Sequence, residues 1–211
     1  MGKVSPKTEI LVDRSHSLDY YRRIYESMQP CASSLAGLEL PMKLLEETIR
    51  MQEERRRTWK SKRVDGGHFS AGLLIAGSPG CGKTLVVRET AKKLRANLLM
   101  FSGTSVPVHS TTLFSDKITK VFASAVKSAR SYPTVLLLED LEVLSPAAGK
   151  ALDSSSSVAK AKLVYHLCDL FDGIPPEVSL TVVVTSNQPH LVPLELRRAG
   201  RLQQEVCRAL L

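Results

Sequence analysis

Eight consecutive residues, Gly77-Ser78-Pro79-Gly80-Cys81-Gly82-Lys83-Thr84, fit the spacing G-x-x-x-x-G-K-[ST], and that spacing has a definite chemistry. Its glycines let backbone N–H groups converge on phosphate oxygens at a helix N-terminus, where the backbone dipoles already favour an anion. Lys83 adds a full positive charge for the β and γ phosphates, and the Thr84 hydroxyl is a hard oxygen ligand suited to Mg2+. Further along, Val135-Leu136-Leu137-Leu138 is an apolar run that delivers two carboxylates, Glu139 and Asp140. At such a strand end one carboxylate can hold Mg2+ through its water shell and the next can orient an attacking water. Cys81 is either a thiol sensitised by Lys83 or a position that the motif leaves open.

This chemistry needs the loop to follow a strand and open a helix. Leu73-Leu74-Ile75 is a strand-sized apolar run before the loop, and Thr84 to Leu94 reads as the helix after it. Leu98 to Phe101 predicts a second strand. Ile118, Val121, Phe122, Ala125, Val126 and Ala129 then share one helical face. Val135 to Leu138 predicts a third strand, the segment around Leu163 to Phe171 a helix, and Leu180 to Val184 a fourth strand. A short helix near Leu194 and a last strand around Val206 complete the series. Ahead of it, Pro41 opens a helix in which Met42, Leu45 and Ile49 recur at helical spacing. Apolar strands alternating with amphipathic helices predict an α/β domain of three layers, with a parallel sheet covered on both faces. Ser145 to Ser157 reads as a polar loop.

The 211 residues suffice for one domain with an extension, and residues 1–33 read as an N-terminal extension or linker. Lys and Arg number 29 against 21 Asp and Glu, a formal charge of +8. The basic run from Arg55 to Arg63 reads as a solvated helix end, with a patch for nucleic acid or acidic lipid as the alternative. No apolar run approaches the roughly 20 residues of a membrane span. Four scattered cysteines, without the close pairing of a zinc site or disulfide scaffold, fit a reduced, intracellular chain. His109 and His166 have no second ligand at metal-binding spacing. The Tyr20, Tyr21 and Tyr25 group reads as local packing.

From about Leu35 to Cys207 the sequence resembles the AAA+ ATPases. Within them it is similar to the AAA branch of valosin-containing protein, the N-ethylmaleimide-sensitive fusion protein and the peroxisome-biogenesis ATPases. Leu35-Ala36-Gly37-Leu38-Glu39 resembles the branch's opening motif, which lines the adenine pocket, so Gly37 joins Gly77 to Thr84 as a nucleotide contact. The loop resembles Walker A, and Asp172-Gly173 falls where such domains carry an Asp-Gly pair. Thr185-Ser186-Asn187-Gln188-Pro189 resembles sensor 1, with Asn187 positioning water near the γ-phosphate. Arg197-Arg198-Ala199-Gly200-Arg201 resembles the end of the second region of homology. There Arg198 and Arg201 take the positions of arginine fingers that reach a neighbouring subunit's site.

The resemblance implies an αβα P-loop NTPase core over residues 34–211, with a central parallel sheet of about five strands and without the helical lid. It implies ATP and Mg2+ as cofactors, with Thr84 and Glu139 at the metal and Glu139, Asp140, Asn187, Arg198 and Arg201 at the chemistry. The implied partners are AAA subunits in a homo- or hetero-oligomeric ring, a hexamer in most of the family, and protein substrates or adaptors rather than nucleic acid. Its implied place is the cytoplasm, with peripheral attachment to an organelle membrane as the variant.

Three departures bear on function. The family's Asp-Glu at the end of Walker B is here Glu139-Asp140, which withdraws the presumed base by one methylene, about 1.5 Å, where about 1 Å can cost roughly a hundredfold in rate. Ser110-Thr111-Thr112 stands where unfolding members carry an aromatic-hydrophobic-Gly pore loop. The sequence ends about ten residues after Arg201, short of the lid, as a fragment or a short form would. The expected function is an ATP-binding AAA-type domain of a ring-forming protein-remodelling machine with weak hydrolysis. The alternative is a nucleotide-binding, catalytically inactive assembly or regulatory module. The chain lacks the N-K-x-D motif of a GTPase, and a small-molecule kinase has no use for the Arg197 to Arg201 cluster.

Overall fold

The computed structural model describes residues 38–62, 72–106, 110–145 and 154–208. Helix α1 (Glu39–Lys62) is followed by β1 (Gly72–Gly77), α2 (Lys83–Lys93), β2 (Asn97–Ser102) and α3 (Thr111–Ala129). Then come β3 (Thr134–Glu139), α4 (Ser154–Asp172), β4 (Leu180–Ser186) and β5 (Leu202–Arg208). The strands form one sheet in the order β2-β3-β4-β1-β5, with every pairing parallel.

Alternation along each strand divides the core in two. Leu74, Leu99, Leu136, Leu138, Val182 and Val184 face α3 and α4, where they pack with Phe114, Ile118, Leu163 and Leu167. Their neighbours Leu73, Ile75, Leu98, Val135, Leu137 and Val183 face α1 and α2, against Leu45, Ile49, Val86 and Val87. Side chains of a strand point alternately to opposite faces, so burial on both sides makes the strands uniformly apolar. This is the three-layer α/β architecture that the sequence predicts. On α3 the predicted face is buried except for Val126, which packs only partly against the core.

Some elements differ from their expected bounds. Ser154 to Ser157 belong to the first turn of α4 rather than to the preceding loop, since serine is well suited to a helix N-terminus. The short helix near Leu194 is a 3-10 turn, Leu194–Arg197. Ser110 stands at the N-cap of α3, and Thr111 and Thr112 open that helix. The N-terminal extension, the tyrosine group, Gly37, His109 and most of the expected Ser145 to Ser157 loop lie outside the described residues.

Register brings the functional ends together. Glu139 lies level with Thr185 on β4, and Thr185 with Ile75 on β1, two residues before Gly77. The chain leaves β1 for the far edge at β2, returns through β3 and β4, and reaches β5 on the other side of β1. The helix after β1 packs on one face and the helix after β3 on the other. That reversal opens a crevice at the carboxyl ends of the strands, the usual ligand position in open α/β sheets.

Candidate functional site

The loop between β1 and α2 turns through left-handed backbone at Gly80 (φ 77°) and Gly82 (φ 87°), a conformation that costs other residues about 1 kcal/mol or more. Gly82 is the N-cap of α2, and no side chain caps that helix. Its first N–H groups therefore remain for an anion. Leu38, in the described part of the opening motif, lies so close that a Cβ on Gly82 would come within 3.2 Å of it.

Lys83 folds back over this loop. Its Nζ donates to the Gly77 carbonyl and the Ser78 carbonyl, each at 2.8 Å, and to Asn187 Oδ1 at 2.8 Å. All three ammonium donors are thus engaged, and one bond bridges the β1 loop to the residue after β4. Cys81 is buried, with Sγ 3.7 Å from the same Nζ.

The Thr84 hydroxyl donates to Glu139 Oε1 across the crevice. The loop, Glu139, Asp140, Thr185, Ser186 and Asn187 line a cleft of about 460 Å³, with Arg88 of α2 at its wall. That volume suits a bound small molecule. A hydroxyl beside a carboxylate is an oxygen-only donor set, as Mg2+ requires. No cluster of three or more His, Cys, Asp or Glu that could hold a metal occurs among the described residues. A metal here would take phosphate and water for its remaining ligands, the usual arrangement for Mg2+ at nucleotides. The residues present therefore fit a magnesium nucleotide.

Asp140 has left-handed backbone (φ 57°, ψ 36°). Its Oδ2 accepts from Ser102 Oγ at 3.1 Å and Thr104 Oγ1 at 3.5 Å, both at the end of β2. Gly103 between them is a glycine for steric reasons, because a Cβ there would stand 2.7 Å from the Asp140 carbonyl. Glu142, two residues on, accepts the Asn187 backbone N–H at 3.2 Å.

The arginines lie elsewhere, and none of the three lines the cleft. Arg197 is paired with Glu205 at 2.5 Å and donates to the Pro189 carbonyl. Arg201 makes two hydrogen bonds to Asp172, at the end of α4, and one to the Glu195 carbonyl. Arg198 is exposed, and its guanidinium has no side-chain partner among the described residues. His166 meets Thr119 Oγ1 at 2.8 Å and links α4 to α3. Burial pushes the Cys168 thiol up from its ordinary pKa, partly offset by the charge of Arg201.

The sequence brought Gly77 to Thr84, Glu139, Asp140 and Asn187 to one place, and they meet there. It missed Ser102, Thr104, Glu142 and Arg88. The hydroxyls reach Asp140 only through the register of β2 with β3, whereas Arg88 stands one helical turn past Thr84 on α2 and so lines the same cleft. For Glu142 the one available signal was an acidic residue two positions beyond Asp140.

A glycine-rich loop between a central parallel strand and a helix, facing a carboxylate at the end of a second strand, defines a P-loop NTPase core. Residues 73–210 match the model of the family described as ATPase family associated with various cellular activities (AAA). The chain belongs to that family. It is 30% identical over 205 residues to the ATPase family gene 2 protein homolog B of Bos taurus, covering 97% of this chain and 25% of that protein. It is 28% identical over 175 residues to the ATPase family gene 2 protein homolog A of Homo sapiens, covering 82% and 18%. The ATPase family gene 2 protein of Saccharomyces cerevisiae is 29% identical over 136 residues, 64% and 16%. The chain thus spans a quarter or less of the length of these curated relatives. Among the described residues no helix is long and apolar enough to cross a membrane.

Proposed function

We propose that this chain is an ATP-binding AAA domain working within a ring of AAA subunits that remodels protein complexes, and that it hydrolyses ATP slowly. The observation that carries the reading is the convergence of Lys83, Thr84, Glu139 and Asn187 on one cleft, joined pairwise across the crevice. The magnesium nucleotide, when bound, supplies the phosphoanhydride bond and the cation that offsets its charge. The loop amides and the α2 N-terminus bind phosphate, and Lys83 exchanges its carbonyl partners for phosphate oxygens. Thr84 and Glu139 would hold the metal. Asn187 orients a water, and Asp140 accepts its proton. Arg198 is the cation best placed to act on a neighbouring subunit, because it is exposed and its guanidinium has no side-chain partner among the described residues.

A second reading, a nucleotide-binding module that assembles a ring without turnover, is favoured by one contact. Asp140 is already engaged by Ser102 and Thr104, and its side chain is shorter than a glutamate's. Residues 34–211 as the core, cytoplasmic placement and protein rather than nucleic-acid partners complete the proposal.

Turnover measured against protein concentration separates the readings. A ring ATPase gains specific activity on assembly, and Lys83→Ala weakens ATP binding roughly 10- to 100-fold, the value of a lost charged hydrogen bond or two. Flat, near-zero turnover with ATP binding intact selects the module. Failure of the wild type to bind ATP overturns both.

A further inference from the structure

Asn187 lies one residue past β4, whose ladder with β1 ends at Ser186, so its backbone N–H has no strand to donate to. The donor is taken instead by Glu142 Oε1, at 3.2 Å, from the 3-10 turn Leu141–Leu144 that follows β3. The side chain of the same Asn187 accepts from Lys83 Nζ at 2.8 Å. A relay thus runs from the turn after β3, through the backbone of the residue after β4, to the lysine of the phosphate loop.

Glu142 carries an unusual cost for this single bond. Its Oε2 is buried without a hydrogen-bond partner among the described residues, and an unpaired buried polar atom ordinarily opposes folding by about 1–3 kcal/mol. The turn's own packing is supplied by Leu141 and Leu144, both fully buried. The carboxylate is therefore not needed to anchor the turn. Its one described contact is with Asn187.

We infer that Glu142 is a positioning residue for the nucleotide site: it fixes the Asn187 backbone, and through it the place where the Asn187 amide meets Lys83 and the γ-phosphate. This rests on the nucleotide-binding reading above. The geometry asks only for an acceptor at Oε1, so glutamine can replace glutamate at this position, whereas alanine cannot.

The test compares fluorescent ATP and ADP analogues bound to the full chain, with no need for turnover. The wild type prefers ATP. Glu142→Ala reduces that preference about fivefold, the value of one net hydrogen bond near 1 kcal/mol, and leaves ADP affinity unchanged. Asn187→Ala also loses ATP preference, and the double variant loses no more of it than Asn187→Ala alone. Glu142→Gln retains the wild-type preference. Thermal melting of each variant separates this from unfolding, because a structural role lowers ADP affinity and melting temperature together. An unchanged ATP preference in Glu142→Ala, or additive losses in the double variant, overturns the inference and leaves the nucleotide site standing. A wild type that binds neither analogue overturns the nucleotide reading and this one with it.

Discussion

Arg201 and Asp172 hold each other through two parallel hydrogen bonds, Nε to Oδ1 at 2.9 Å and Nη2 to Oδ2 at 2.6 Å. Donating to Asp172 raises the guanidinium's pKa further, so it stays charged throughout the working pH range. Arg201 is therefore occupied within its own chain, whereas Arg198, three residues earlier, is exposed. The two arginines should separate by experiment. Arg198→Ala should lower the turnover of the assembled form by on the order of 10³, the usual worth of an arginine supplied in trans, with an unchanged melting temperature. Arg201→Ala should instead lower the melting temperature. Its effect should stay near 1 kcal/mol, because Asp172 is 55% exposed and water screens the pair. Equal losses of turnover and stability in both variants would contradict this division.

Asp140 offers a second test. Aspartate tolerates left-handed backbone better than most residues, and that is the conformation at this position. Asp140→Glu should restore about 1.5 Å of reach and raise kcat several-fold, since misplacements of about 1 Å already cost up to a hundredfold. The longer residue is less suited to positive φ and should cost about 1 kcal/mol of stability. Parallel measurement of kcat and melting temperature checks both signs. A fall in kcat would mean that the contact with Ser102 and Thr104, rather than reach, sets the rate.

The third concerns Gly103. An added Cβ would meet the Asp140 carbonyl at 2.7 Å and Val143 Cγ2 at 3.2 Å. The first is a backbone atom and cannot swing aside, so Gly103→Ala must shift the turn that holds Asp140. It should destabilise by about 1–3 kcal/mol, or roughly 2–4 °C per kcal/mol for a domain of this size. Turnover should fall with it while ATP affinity holds, because the phosphate loop is untouched. An unchanged melting temperature would show that the turn relaxes freely.

Local chemistry makes the phosphate loop and β3 legible, because each depends on consecutive residues, whereas Asn187 is implied only by the resemblance to sensor 1. The alternation of apolar strands and amphipathic helices implies a parallel sheet with both faces covered, and Glu139 and Thr84 meet because both follow strands at its carboxyl edge, but the order of the strands is not in that pattern. What stayed hidden depends on register between distant segments. Ser102 and Thr104 look like ordinary loop residues until β2 is laid beside β3, and Glu142 means nothing until the end of β4 lies next to the turn after β3. The serines at the start of α4 misled for another reason: the same residue type serves loops and helix N-termini alike. The basic run at the end of α1 reads as solvated or as a binding patch, yet one of its arginines is neither.

That arginine is Arg56, whose side chain is only 12% exposed. It donates through Nε and Nη2 to Glu53, at 2.9 and 2.7 Å, and through Nη1 to the carbonyls of Arg130 and Ser131, so it ties α1 to the segment between α3 and β3. Burial pushes the Glu53 carboxyl up, but hydrogen bonds from Arg56 and Arg57 outweigh it, and the pKa lies below the ordinary 4.5. A carboxyl depressed in the folded state stabilises fully above its unfolded value and loses that contribution as pH falls through the folded value. Glu53→Gln should therefore cost on the order of 2 kcal/mol at pH 7, as expected for charge-assisted hydrogen bonds that are mostly shielded from water. The difference from wild type should hold down to about pH 4.5 and close progressively below it. Urea melts of both proteins across that range check the prediction. A gap that persists unchanged well below pH 4 would mean that shape at this position matters, and that the charge does not.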